Sequence, residues 1–277
     1  MNILIVIVLY KQRLQESTAY MSLSQARNKV LYNYKFYIHD NSPDNLNIQD
    51  DDIYHVFHPE NPGLSFAFNR AAEYAKKNNF DWLLLSDQDT YYPPGILREY
   101  EQVINNNPEI KLIVPKVRTK RGHLLSPCKY VHKRGSHLRK INSGKQLLMK
   151  LSVINSGMMI NVDAFFRCGG YNEKTAIDLS DHQFIERYKK IECLFWVLEG
   201  EIFQDYSNEN LLPNIMYNRF LHYIEAVKNC ERENRMDNID YFFLLLRRAL
   251  ALTIRTKQVR FLKIFYTEFL CKRQTIK

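Results

Sequence analysis

The run Ile3-Leu4-Ile5-Val6-Ile7-Val8-Leu9 constrains this chain more than any other feature. It is continuous, apolar and largely β-branched. A strand with one wet face alternates apolar and polar residues, whereas an unbroken run suits a strand covered on both faces of a parallel sheet. A helical stretch over about 15–28 leads to a second strand, Lys35 to Asp40, which ends in the turn signal Asp40-Asn41-Ser42-Pro43-Asp44. Ile53 to Phe57 reads as a third strand. Asn61-Pro62-Gly63 turns the chain, and Ser65 caps a helix to about Lys77. Asp81 to Ser86 is a fourth strand running straight into Asp87-Gln88-Asp89. Pro93-Pro94 opens a helix over Gly95 to Asn105, and Lys111 to Pro115 is a further strand. Strand and helix alternate throughout, which predicts an α/β fold with a mostly parallel, Rossmann-like sheet flanked by helices. Ligands of such sheets sit at the C-terminal ends of the strands. Asp40, Asp87 and Asp89 stand where a site belongs.

The second half is less regular. Arg118 to Lys145 is basic, rich in Gly, Ser and His, and weakly periodic, so it reads as a long loop over the site. Its Lys129, His132, Lys133, Arg134, His137 and Arg139 are available to close over a diphosphate. Leu151 to Val162 reads as a strand broken at Ser156-Gly157, Asp181 to Lys190 as a helix, and Phe195 to Phe203 as a strand. From about Leu211 the pattern is helical. The expected division is a catalytic α/β domain over 1–210 and a basic, amphipathic helical extension over 211–277.

Charge sharpens that division. The formal net charge is +9, and Tyr241 to Lys277 alone carries nine Lys/Arg against one acid, Glu268. There Phe242, Leu245, Leu246, Ala249 and Leu252 follow helical spacing among the cations, a pattern suited to an anionic membrane surface. No nucleic-acid motif accompanies the charge, so a nucleic-acid partner is not expected. Five widely spaced cysteines with no C-x-x-C signal neither a zinc site nor a redox pair. The apolar start lacks a basic n-region and a cleavage site, so no signal peptide is expected. The expected location is cytoplasmic, or peripheral on the inner face of the cell membrane. The absence of G-x-G-x-x-G after the first strand disfavours a dinucleotide oxidoreductase.

Two carboxylates at i and i+2 on the turn leaving a strand, Asp87 and Asp89, can surround one divalent cation, and Mg²⁺ or Mn²⁺ is commonly held by one or two carboxylates plus substrate phosphates. With this string in place the sequence resembles family 2 glycosyltransferases of the GT-A fold, especially their rhamnosyltransferase-like branch. The resemblance runs from Ile3 to about Tyr206. It rests on Ile5 to Tyr10, Ile38-His39-Asp40-Asn41-Ser42, Asn61 to Asn69, Asp87-Gln88-Asp89, Asn155-Ser156-Gly157 and Gly169-Gly170-Tyr171-Asn172-Glu173, in family order.

The resemblance implies roles. Asp40 accepts a hydrogen bond from a pyrimidine base with Leu9 lining the same pocket. Asn69 touches the nucleotide or the turn that holds it. Asp87 contacts the ribose, and Asp89 binds Mn²⁺ or Mg²⁺ at the diphosphate. Asp181, in Asp178-Leu179-Ser180-Asp181, matches the base that deprotonates the acceptor hydroxyl in an inverting transfer; Asp178 is the weaker alternative. Each has a plainer reading: turn chemistry for Asp40, a helix surface for Asn69, and a dipole-favoured acid behind a Ser180 cap for Asp181. The implied donor is dTDP-rhamnose, or else a UDP-sugar. The implied acceptor is a saccharide or lipid-linked saccharide of bacterial surface polysaccharide synthesis. A departure from the pattern lies at Ile202-Phe203-Gln204-Asp205-Tyr206, where many relatives have a His and this chain has none. Gln204 or Asp205 could supply an oxygen there, and a non-catalytic nucleotide-sugar binder is the alternative that departure keeps open.

Overall fold

A computed structural model describes residues 1–27, 30–44, 52–204 and 212–271. The chain order is β1 (Asn2–Leu9), α1 (Thr18–Arg27), β2 (Asn33–Asp40), β3 (Ile53–Phe57), α2 (Leu64–Lys77), β4 (Trp82–Asp87), β5 (Thr90–Tyr91), α3 (Ile96–Asn106) and β6 (Leu112–Thr119). Then come β7 (Leu124–Ser126), β8 (Cys128–Val131), β9 (Arg134–Ser136), β10 (Gly144–Leu147), β11 (Leu151–Ser152), β12 (Met158–Asn161), α4 (Val162–Arg167), α5 (Ser180–Lys189) and β13 (Leu194–Gln204). Helices α6 (Pro213–Asn229), α7 (Arg235–Thr256) and α8 (Arg260–Ile264) follow, and a π-helical segment, Phe265–Cys271, closes the described chain.

The main sheet runs β10-β13-β6-β12-β4-β1-β2-β3, with β5 and β7 appended at β13 and β6. Strands β4, β1, β2 and β3 are mutually parallel, as are β6 and β13, and β12 lies antiparallel between β4 and β6. Strand β1 is central and its side chains alternate between two cores. Leu4, Val6 and Val8 join the α2, α4 and α5 side, while Ile3, Ile5, Ile7 and Leu9 join the α1 and α3 side. Burying each such side chain contributes about 1.5–3 kcal/mol, which is why an unbroken apolar run specifies a doubly covered strand.

Glycine fixes two junctions near the strand ends. Gly63 has φ 95° at the start of α2, where an added Cβ would lie 2.6 Å from the Ala176 Cβ. That close approach lets the Leu64 and Ser65 amides donate to the Ala176 carbonyl at 2.8 and 3.2 Å. Gly157, at φ 79°, sits where a Cβ would meet Pro115 at 2.6 Å and Ile202 at 2.7 Å. This is the break foreseen at Ser156-Gly157, and it carries the chain over the end of β4.

The basic stretch 118–145 is not a loop. It finishes β6 and builds β7, β8, β9 and β10, with β8 and β9 joining β11 in a separate three-stranded sheet. Alternation explains it: in β8, Cys128 and Tyr130 are buried while Lys129 is exposed. His132 and Lys133 make the hairpin turn with φ 53° and 55°, both left-handed as a two-residue hairpin requires. Lys129 is therefore an outward strand position, while the turn sends His132 outward and Lys133 inward.

Helices α6, α7 and α8 share a third core of their own, onto which Leu179 packs. The division at 210/211, with Asp205 and Tyr206, lies outside the described residues. No helix among the described residues is long and apolar enough to cross a membrane.

Candidate active site

Parallel register gathers the foreseen residues. Leu9 pairs with Asp40 across β1 and β2, and Val8 pairs with Asp87 across β1 and β4. Residues 9, 40 and 87 thus stand side by side at the C-terminal edge of the sheet.

Asp87 is the hub. Its Oδ2 accepts hydrogen bonds from the Ser156 hydroxyl and the Gln204 side-chain amide, both at 2.7 Å. The same Gln204 nitrogen lies 3.4 Å from Asp89 Oδ1. Gln204 therefore bridges the two carboxylates through its side-chain N–H. Burial pushes the Asp87 carboxyl up, the Ser156 and Gln204 bonds oppose that, and the negative charge of Asp181 adds to it. Asp181, on another element, is thus electrostatically coupled to Asp87.

Gln88 does a different job. Its side chain accepts from the Tyr10 amide at 2.8 Å and donates to the Tyr10 carbonyl at 3.3 Å. Its carbonyl accepts from the Ser17 hydroxyl and the Ala19 amide at 2.9 and 3.2 Å. The middle residue of Asp87-Gln88-Asp89 pins the tip of β1 and the start of α1, and so fixes the turn that carries both acids.

Asp40 has no solvent-exposed surface. Its Oδ1 accepts from the Ser42 amide at 2.9 Å, which is the plain turn chemistry expected of Asp-Asn-Ser. Its Oδ2 makes no hydrogen bond, and His55 Nε2 stands 3.7 Å away. An unbonded buried acceptor is costly. Leu9 shares this edge, but its side chain is fully buried in the core and lines no open surface. Contact between a ligand and Asp40 requires local opening.

Behind Asp40, His39 is fully buried and neither ring nitrogen is bonded. It stacks on His58 at 4.8 Å. Burial, reinforced by His58, pulls its pKa down to about 4. Because the folded value lies below the ordinary 6.5 of the unfolded chain, protonation favours unfolding. The contribution is complete above pH 6.5 and is lost as pH falls toward 4, in total roughly 3 kcal/mol. Denaturant melts of wild type and His39→Leu across this window check it: the substitution should flatten the decline.

Asn69 faces the Gly170-Tyr171 turn. Its side chain accepts from the Tyr171 amide at 2.9 Å and donates to the Tyr171 carbonyl at 3.0 Å. A Cβ on Gly170 would lie 2.8 Å from Asn69 Oδ1, so the glycine admits this clamp. The Tyr171 hydroxyl donates to Asn155 Oδ1 at 2.7 Å, and its ring stacks on Phe184 of α5 at 4.3 Å. Asn69 thereby ties the turn to α5 and the Asn155-Ser156-Gly157 element.

Asp181 lies in the first turn of α5. The cap is Leu179, not Ser180; Leu179 has φ 67° and Ser180 donates its hydroxyl to the Ile177 carbonyl at 2.7 Å. A bulky residue in the left-handed region is uncommon, and here Leu179 packs onto the α6–α8 core. Asp181 Oδ1 accepts from the His182 amide at 2.7 Å. Burial raises the Asp178 carboxyl while Arg248 and Arg219 of the helical extension lower it, so it serves the junction with those helices.

Three of the basic residues are engaged elsewhere. Lys133 is buried, 2.8 Å from Glu186 and 3.3 Å from Asp237. His132 pairs with Asp240 at 3.1 Å, and His137 lies 2.9 Å from the Leu124 carbonyl. Ser156 as the partner of Asp87 was not foreseen, and its place in Asn155-Ser156-Gly157 is the one signal that could have found it.

Among the described residues no group of three or more His, Cys, Asp or Glu side chains forms a metal cage. Two carboxylates at a strand end still fit the sparse protein ligation that Mg²⁺ accepts when substrate phosphates and water complete its shell.

The arrangement is that of a GT-A-type α/β fold, with a mostly parallel sheet flanked by helices and acids at the strand ends. Among solved structures it is similar to S. aureus TarS residues 1–349 in complex with UDP-GlcNAc, with a TM-score of 0.54 and 11% identity over 99% of this chain and 78% of that chain. No family profile and no curated protein sequence matches the chain. The likeness is one of fold.

Proposed function

We propose that the chain is an inverting glycosyltransferase that takes its sugar from a pyrimidine nucleoside diphosphate. The observation that carries this reading is the pair Asp87 and Asp89 at the end of β4, bridged by the Gln204 side-chain amide, with the charge of Asp181 felt at Asp87. Asp87 and Asp89 would hold Mn²⁺ or Mg²⁺, and that cation supplies compensation for the charge on the departing diphosphate. Asp181 takes the proton from an acceptor hydroxyl as it attacks the anomeric carbon. Attack opposite the leaving diphosphate inverts the centre. Asp40 Oδ2, buried and unbonded, offers an acceptor to a base N–H after local opening. Gln204 holds both acids without adding charge, in the position where relatives carry His.

UDP-GlcNAc, bound by the TarS structure, favours a UDP-sugar; the Asp87-Gln88-Asp89 string favours dTDP-rhamnose. A saccharide or lipid-linked saccharide is the acceptor class that fits a hydroxyl nucleophile. Incubation with UDP-GlcNAc or dTDP-rhamnose and Mn²⁺ tests the reading. Release of the nucleoside diphosphate, and a product anomer opposite to the donor's by NMR, are the expected results. Retained configuration in the product would exclude direct displacement.

A further inference from the structure

We infer that the face formed by α7 and the β8–β9 hairpin docks onto an anionic membrane surface. A cavity of about 680 Å³ opens between them. Its wall includes Ile239 and Phe243, and its rim carries Lys129, Arg134, Lys150 and Arg247. None of these four cations is ion-paired among the described residues. The acid there, Asp240, already faces His132 at 3.1 Å. The charge of this face is therefore strongly positive and uncompensated.

The apolar component continues along the helix. Met236, Ile239, Phe243, Leu250 and Ile254 are 61, 46, 59, 43 and 76% exposed. Their spacing of three, four, seven and four residues places them on one side of α7, a stripe roughly 27 Å long. The opposite side of α7, through Tyr241, Leu245 and Ala249, is buried in the extension's own core. Among the described residues nothing covers the outer stripe.

Charge selects the occupant. A second copy meeting this face about a two-fold axis would set Lys129, Arg134, Lys150 and Arg247 against themselves, and like-charge juxtaposition across an interface is costly. An anionic leaflet satisfies both features at once. Lys and Arg stems lie along the apolar stripe while their heads meet lipid phosphates, and Phe243 and Ile254 enter the headgroup boundary. This docking does not depend on the transfer reaction, and its test needs no substrate.

The test is co-sedimentation of the full chain with vesicles of phosphatidylcholine alone and of phosphatidylcholine with phosphatidylglycerol. Binding to the anionic vesicles, weakened by added salt, is the expected result. Arg134→Ala with Arg247→Ala should weaken it by about 25-fold, at about fivefold per cation near an anionic surface. Phe243→Ser with Ile254→Ser should weaken it by at least about tenfold. Unchanged melting temperatures show that the variants remain folded, and Lys129→Ala with Lys150→Ala replaces the arginine pair if that pair misfolds. No binding of wild type to anionic vesicles at low salt overturns the inference. So does equal binding by the variants, a dimer that Phe243→Ser dissociates, or retention on RNA without vesicle binding.

Discussion

Asp181→Asn is expected to lower kcat for sugar transfer by about 10²–10⁴-fold, the range a positioned general base supplies. The substitution keeps the shape and removes the proton acceptor. Asp181 is well placed for the loss to be chemical. It sits in the first turn of α5, it takes one backbone amide through Oδ1, and its turn is anchored by Leu179 in the helical extension. Donor binding should change little, because the proposed nucleotide ligands lie on β2 and β4. Asp87 provides an internal reporter. The charge of Asp181 helps raise its carboxyl, so removing that charge should bring the Asp87 value down, which a pH titration of metal binding can read. A variant retaining a third or more of wild-type kcat would remove Asp181 from the base role. The Asp178→Asn variant separates the two acids. Asp178 faces the arginines of the extension, so its loss should appear as lower stability.

Lys133→Met carries the largest expected stability effect. Lys133 is buried between Glu186 of α5 and Asp237 of α7, and its ammonium lies 5.7 Å from the Tyr241 ring centroid. Burial pulls its pKa down, but the two carboxylates outweigh that and raise it. Removing the lysine takes the bridging cation from buried Asp237 and half-buried Glu186. Breaking a buried pair this way costs about 3–5 kcal/mol. For a chain of this size that is a fall in melting temperature of roughly 6–20 °C. Lys133 also occupies a left-handed position, φ 55°, which costs a residue with a Cβ about 1–2 kcal/mol; the ion pairs offset it. Adding Glu186→Gln to Lys133→Met should recover part of the loss, which calorimetry of the two variants checks. A single-variant shift within experimental error would show that the lysine does not join the hairpin, α5 and α7.

These two residues mark what the sequence allows and what it hides. Strands β1 and β4 are legible because a continuous apolar run has one economical use, a strand covered on both sides. The acids at the ends of β2 and β4 are legible because turn chemistry and strand ends coincide in Asp40-Asn41-Ser42 and Asp87-Gln88-Asp89. Stretch 118–145 is not, since its strands beyond β6 are three or four residues long and place cations such as Lys129 outward, so charge masks a period of two. The burial of Lys133 has no local signal; its partners lie 53 and 104 residues away in sequence. Ser156 and Gln204 reach Asp87 from 69 and 117 residues away, through an antiparallel strand and a distant parallel one that local pattern does not pair. Of the two roles expected of Asn69, nucleotide or turn, the structure shows the hold on the Tyr171 turn, because a side-chain amide matches the backbone of a glycine turn.

The central claim is that a pyrimidine nucleoside diphosphate and a divalent cation bind together at Asp87 and Asp89. The most direct measurement is thermal unfolding with UDP or dTDP, with and without Mn²⁺, on wild type and Asp89→Ala. Stabilisation that needs both nucleotide and metal is predicted, about 2.7 kcal/mol at a hundredfold excess over Kd, and it should vanish in Asp89→Ala. It should also weaken as pH falls, since metal competes with the proton that burial favours on Asp87. No stabilisation by either nucleotide at millimolar concentration with metal, or an equal shift in Asp89→Ala, would contradict the account.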